Sequence, residues 1–328
     1  MRVSIMALLV MAVSCAAQSR PPILGVSHIA VYTSDSAKAE HFYVHDIGLK
    51  KGDDPEHSDG VRYYVNQEQF VEVLPLPSGA GVDRLDHIGY ITSSAERMRK
   101  YLGAHGVTVP DAVQHGSDGS AWFDVKDPED NTVEFVQPPA RVLAIKDTAA
   151  LYSIGDANPI GRRMIHCGML VHSREKEDTF YRELLGFKPY WYGGMHADHT
   201  DWVSQQVPDG HDWLEYMVYT TPASNSGSPG TPGGNGPGAP DHVSQQTLGV
   251  LNHFSLGVVN MEKTVTTLYA EDRLGDAPPR PQIGRDGKWQ FNFYDPDMTR
   301  VELMEFTAAA KPCCSEFTAA NPAPEGQP

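Results

Sequence analysis

Four stretches of this chain open alike: Gly25-Val26-Ser27-His28-Ile29-Ala30-Val31, Leu85-Asp86-His87-Ile88-Gly89-Tyr90-Ile91, Met164-Ile165-His166-Cys167-Gly168-Met169-Leu170-Val171 and Leu251-Asn252-His253-Phe254-Ser255-Leu256-Gly257-Val258. Each places one His near its start and follows it with apolar residues of strand-forming type. A polar turn and a segment of helical spacing come next. In copies one and three that helix holds Phe42-Tyr43 ahead of Ile47-Gly48-Leu49 and Phe180-Tyr181 ahead of Leu185-Gly186-Phe187, which puts Gly48 and Gly186 at a helix C-cap. Each copy closes on a strand with one Glu among apolar residues: Glu72, Glu134, Glu215 and Glu302. The His-to-Glu separations are 44, 47, 49 and 49 residues, so this is an internal repeat. Each copy reads as strand, helix, then three strands.

A carboxylate inside an apolar strand is costly unless it meets a cation or strong donors. Four occurrences at nearly one distance from a strand His point to one common cause, and a divalent cation is the simplest. Imidazole and carboxylate together suit Zn, Ni, Co, Mn or Fe(II). Copies two and four add Asp127-Pro128 and Asp295-Pro296, each seven residues before the Glu, which fits a turn joining the last two strands.

Strand-helix-three-strand units with His in the first strand and Glu in the last resemble the vicinal oxygen chelate superfamily, which includes glyoxalase I, the fosfomycin and bleomycin resistance proteins and extradiol dioxygenases. The Asp-Pro-x-x-x-x-Val-Glu pattern at 127–134 and 295–302 is the most specific part of the likeness. The family's Asp-Pro-Asp-Gly-Asn turn is altered, with Asp130 and Met298 at the Gly position, and a changed turn geometry is expected there. The resemblance implies an α+β fold of four βαβββ modules, forming two tandem glyoxalase-like domains whose curved mixed sheets enclose metal cups. It implies the ligand sets His28, Glu72, His87, Glu134 and His166, Glu215, His253, Glu302. Glu302 sits in the fuller motif, and Glu68 lies close enough to compete with Glu72. The expected boundaries are a first domain at 22–140 (modules 24–77 and 83–138) and a linker at 141–161. A second domain at 162–308 follows (modules 163–221 and 249–307). A Gly/Pro-rich insert occupies 222–247, and a tail frays at 309–328.

The residues before the first repeat read as an export signal. Arg2 precedes the apolar run Val3 to Val13, which spans about 16 Å as a helix, too short for a bilayer core of roughly 30 Å. Cleavage after Ala17 would release a periplasmic or extracellular protein, and Cys15 is an alternative lipid-anchor site. Lys and Arg total 26 against 42 Asp and Glu, a net charge of −16, which disfavours nucleic acid as a partner. Four cysteines are too few for a disulfide scaffold. Cys313 and Cys314 are left with three options: a metal, each other, or another chain. Cys167 is expected to face away from the cup by strand alternation. His196, His199 and His211 read as loop histidines, with a place at the cavity rim as the alternative. Trp122, Trp202 and Trp289 fall on third strands, in the core or against substrate.

Three functions follow from the resemblance. The first is a lyase or isomerase of glyoxalase type acting on a small oxygenated substrate. A divalent metal ion would stabilise an enediolate while Glu215 or Glu302 moves the proton. The second is a ring-cleaving dioxygenase with Fe(II) on His166, His253 and Glu302, although the Tyr expected about ten residues before the metal Glu is Asn292. The third is a non-catalytic binding protein for small molecules. Two fused pairs make a pseudo-dimer, which permits a monomer.

Overall fold

The computed structural model describes residues 19–196, 198–219, 243–274 and 280–324. The export signal, with Arg2 and Cys15, and most of the Gly/Pro-rich insert lie outside the described residues. Among the described residues, no helix is long and apolar enough to cross a membrane.

Two eight-stranded mixed sheets form, one per half. The first half contributes β1 (Ile23–Thr33), β2 (Lys50–Asp53), β3 (Val61–Tyr64), β4 (Phe70–Pro75), β5 (Leu85–Thr92), β6 (Gln114–His115), β7 (Ala121–Lys126) and β8 (Thr132–Gln137), ordered β2-β3-β4-β1-β5-β8-β7-β6. The second contributes β9 (Met164–Val171), β10 (Lys188–Gly193), β11 (Trp202–Gln206), β12 (Trp213–Val218), β13 (His253–Val258), β14 (Gln282–Ile283), β15 (Trp289–Tyr294) and β16 (Arg300–Glu305), in the matching order β10-β11-β12-β9-β13-β16-β15-β14. The strand-helix-three-strand reading holds in all four copies. Within a copy, the first strand pairs parallel with the last, and the two copies meet through their antiparallel first strands. All His-bearing and Glu-bearing strands therefore lie together at the sheet centre.

The helices follow local chemistry. Asp35, Ser94, Ser173 and Asn260 cap α1 (Ser36–Glu40), α2 (Ala95–Ala104), α5 (Arg174–Asp178) and α7 (Met261–Ala270), each side chain accepting a backbone N–H three residues on. After α1 and α5 the chain continues through one wider turn and stops at Gly48 and Gly186, both at φ near +80°. The expectation of altered Asp-Pro turns is corrected. Asp130 (φ 70°) and Met298 (φ 72°) adopt the left-handed backbone that glycine normally supplies. Asp127 and Asp295 hold these turns closed, each accepting two backbone N–H bonds.

The paired motifs also lock the halves together. Tyr43, after α1, donates to Asp295 of the other half at 2.9 Å, and Tyr181 donates to Asp127 at 3.3 Å. Asp297 likewise accepts from Ser34 N–H, and Glu129 from His172 and Ser173 N–H. One continuous apolar core runs through both halves.

Two segments differ from expectation. The linker carries two short helices, α3 (Ala140–Leu143) and α4 (Thr148–Leu151), and the end of the insert is already helical as α6 (Gln245–Leu251), capped by Ser244. The tail does not fray across its described length. It runs along β10, with Thr318 N–H donating to Tyr190 C=O at 2.9 Å and Tyr192 N–H to Ser315 Oγ at 2.9 Å. This satisfies an otherwise open sheet edge.

Candidate functional site

The second sheet curls around a cavity of about 470 Å³, with Glu215, Arg300 and Glu302 on its wall. The four residues expected there converge. His166 Nε2 lies 3.2 Å from His253 Nε2 and 3.3 Å from Glu302 Oε2, and His253 Nε2 lies 3.5 Å from Glu215 Oε2. Register explains this, because His253 pairs with Gly168 and Ser255 with both His166 and Glu302. His253 Nδ1 donates to Leu251 C=O at 2.9 Å, so its Nε2 lone pair faces the cup, where it accepts from Arg300 Nη2 at 2.8 Å. Burial, then Arg300, pushes the His253 pKa well below the usual imidazole value, which keeps the ring neutral. Burial alone would raise Glu302, but His166 and Arg300 outweigh it and hold that carboxyl below its ordinary value.

The first sheet brings its four residues together as well. His28 Nε2 is 2.7 Å from His87 Nε2 and 3.6 Å from Glu134 Oε1, and His87 Nε2 is 3.7 Å from Glu72 Oε2. Glu68 does not take this place; it lies on a separate cavity of about 300 Å³ that reaches neither histidine. His87 Nδ1 bonds Asp86 at 2.7 Å, the carboxylate–imidazole pairing that orients a metal ligand. Here, however, the cup is filled. The loop between β2 and β3 folds inward, and Asp54, Glu56 and Arg62 are almost fully buried beside Glu72.

The cross-strand neighbour of each Glu decides which cup is open. Arg62 pairs with Glu72 and Asp124 with Glu134, whereas Ser204 pairs with Glu215 and Asn292 with Glu302. Arg62 draws the acidic loop in through Asp54 and Glu56; the small neutral neighbours of the second sheet leave room. Sequence reasoning missed this contrast, although the four residues stand ten or eleven positions before each Glu. It also missed the aromatic wall of the open chamber, built from Tyr190, Trp191, Trp213, Tyr294 and Phe317 of the tail beside the expected Trp202. Trp213 stacks on His166 at 4.6 Å, and its ring also faces the buried Lys288 ammonium at 4.7 Å.

Trp122 is buried, and Trp289 packs on the core. Cys167 faces away into the core, 3.6 Å from Met164 Sδ. Cys313 and Cys314 are joined to each other. His196, His199 and His211 do not line the chamber.

Residues 163–303 match the family model for the Glyoxalase/Bleomycin resistance protein/Dioxygenase superfamily. The second half of the chain carries the signature of the vicinal oxygen chelate superfamily. The chain's likeness to solved members spans both halves. The 2,3-dioxygenase LapB from Pseudomonas sp. KL28 shares 15% identity over 94% of this chain and 97% of its own, with a TM-score of 0.57. A catechol 2,3-dioxygenase shares 14% over 94% and 96%, at 0.59. A variant of homoprotocatechuate 2,3-dioxygenase from B. fuscum shares 17% over 88% and 72%, at 0.57. At these identities the likeness is one of fold. No curated protein sequence matches the chain.

The superfamily's divalent cation fits the residues present. Ligand bonds of about 2.0–2.1 Å at right-angled to tetrahedral geometry place two donor atoms about 3.0–3.4 Å apart. The facing Nε2 atoms of His166 and His253 stand at 3.2 Å. His166, His253 and Glu302 form a two-His, one-carboxylate group, with Glu215 facing them.

Proposed function

We propose that the chain is a metal-dependent enzyme of glyoxalase type, a lyase or isomerase working in the second cup. The observation that carries this reading is Glu215. It lines the open chamber, stands 3.5 Å from His253 Nε2, and has neutral Ser204 beside it in place of a neutralising cation. His166, His253 and Glu302 would hold the cation, which when bound polarises two neighbouring substrate oxygens and acidifies the adjoining C–H. Glu215 takes that proton and returns it to a neighbouring atom. The aromatic wall stacks a flat or apolar portion of the substrate and keeps water out. Arg300 donates to His253 Nε2 through Nη2 at 2.8 Å and has an unpartnered Nε; with a cation on His253 it would turn from the imidazole to an anionic group such as a carboxylate. The apolar Val3–Val13 run supports export, which cell fractionation tests.

A second reading is a ring-cleaving dioxygenase. The tandem fold match to extradiol enzymes and the His166–His253–Glu302 group favour it. Asn292, where that chemistry is expected to place a Tyr, and the fourth carboxylate disfavour it. One experiment separates the two. Protein loaded with Zn, Ni, Co or Fe(II) is incubated in D2O with hydroxyketones and 2-keto acids, followed by NMR, and in parallel with catechols and O2. Deuterium incorporation without a yellow ring-opened product supports the first reading. Yellow product supports the second, and neither outcome with metal bound leaves a binding protein.

A further inference from the structure

The first cup contains more ligand-type groups than one cation uses. Three buried carboxylates, from Asp54, Glu56 and Glu72, crowd around a single guanidinium, Arg62, and a fourth, Glu134, lies against Glu56 and Glu72. Both oxygens of Glu72, Oδ2 of Asp54, Oε2 of Glu56 and Oε1 of Glu134 accept no hydrogen bond, and Arg62 Nε donates none. Buried polar atoms are rarely left so, and a group of five such oxygens in one place calls for cations.

We propose that this closed cup holds two divalent cations, His28, His87 and Glu134 around one and Asp54 and His57 around the other, with Glu72 shared between them. Glu72 reaches both sets: its Oε2 is 3.7 Å from His87 Nε2 and its Oε1 is 3.6 Å from His57 Nδ1. His57 Nδ1 is 3.7 Å from Asp54 Oδ2. These separations are within a few tenths of an ångström of the roughly 3.0–3.4 Å between neighbouring ligands of one cation. A carboxylate bridging two cations is the usual two-metal arrangement. The nitrogen and oxygen donors suit Zn, Mn or Co. The second cation fastens the β2–β3 loop to β4, so the first cup is a clamp while the second remains open to substrate. The assignment is independent of the reaction proposed for the second cup. The competing arrangement keeps His57 as an imidazolium paired with Glu72 and leaves room for one cation.

Mn(II) tests this, by elemental analysis of gel-filtered protein and by electron paramagnetic resonance. His253→Ala removes a second-cup ligand, so the first cup is read in that background. The expected result is two equivalents with a spin-coupled pair signal. His57→Gln added to it drops the count to one and replaces the coupled signal with that of an isolated ion. One equivalent or none in the His253→Ala protein, an uncoupled signal at two equivalents, or an unchanged count and coupling after His57→Gln would overturn the proposal. The coupled signal needs no first-cup variant, so misfolding of His57→Gln leaves the test intact.

Discussion

The imidazole of His253 lies over Gly168, its antiparallel partner on β9. A Cβ at Gly168 would stand 2.0 Å from His253 Cε1, and one at Gly89 would stand 2.2 Å from His28 Cε1. These glycines are required by close approach, because the ring occupies the space a side chain would take. Gly168→Ala must push the His253 ring out of the second cup while the strand pairing persists. The expected outcome is a 10–100-fold loss of cation affinity at that cup with a native circular dichroism spectrum. Titration with Co(II) checks it. Unchanged affinity would show that the ring has somewhere else to go.

Glu215 and Glu302 should separate in their effects. Glu302→Gln weakens the group formed with His166 and His253 and is expected to lose the second-cup cation. Glu215→Gln leaves that group whole, so cation content stays and the rate falls about 10²–10⁴-fold, the usual size of a lost general base. Metal analysis beside initial rates distinguishes them. Equal loss of metal in both variants would make Glu215 a ligand only.

Much of this was legible in the sequence because it is local or repeated. The His and Glu positions follow from strand alternation at a fixed spacing, and Gly48 and Gly186 from helix capping. What escaped was long-range. Nothing near Glu72 announces that Asp54 and Glu56 fold back onto it, yet Arg62 in place of Ser204 decides whether the cup is filled or open. The tail, rich in Ala and Pro, was expected to fray, but Phe317 reaches Tyr190 and the chamber. The Phe-Tyr and Asp-Pro repeats were visible separately. Their meeting across the two halves was not, since the contact joins residues 43 and 295.

That contact carries a prediction about the body as a whole. Tyr43 is fully buried and its hydroxyl donates to a buried carboxyl, Asp295, whose pKa burial raises to about 6. Tyr43→Phe keeps the ring and removes the donor. The expected loss is about 1–3 kcal/mol of stability, since a buried acceptor loses its partner. Tyr181→Phe acts likewise on Asp127 in the other half. Urea unfolding checks both, and the chambers should keep their cations in either variant.

Lys288 predicts how stability changes with pH. Its side chain is buried, its Nζ lies 3.1 Å from the Tyr190 hydroxyl, and the rings of Trp213, Tyr190 and Phe317 surround it. Burial lowers its pKa from 10.5 to about 8. Below about pH 8 both folded and unfolded chains carry the proton, and the full penalty of a buried ammonium falls on the folded state. Between about 8 and 10.5 the unfolded chain holds the proton and the folded chain does not, so stability rises with pH. Lys288→Met removes the penalty. The variant should be more stable than the parent at pH 7, by roughly 3 kcal/mol at most, and should lack the parent's gain above pH 8. Urea melts at about pH 7 and pH 9.5 measure both effects. If the parent shows no gain on the alkaline side and Lys288→Met is the less stable protein, the three rings hold the ammonium without penalty, and Lys288 pins the tail to the chamber.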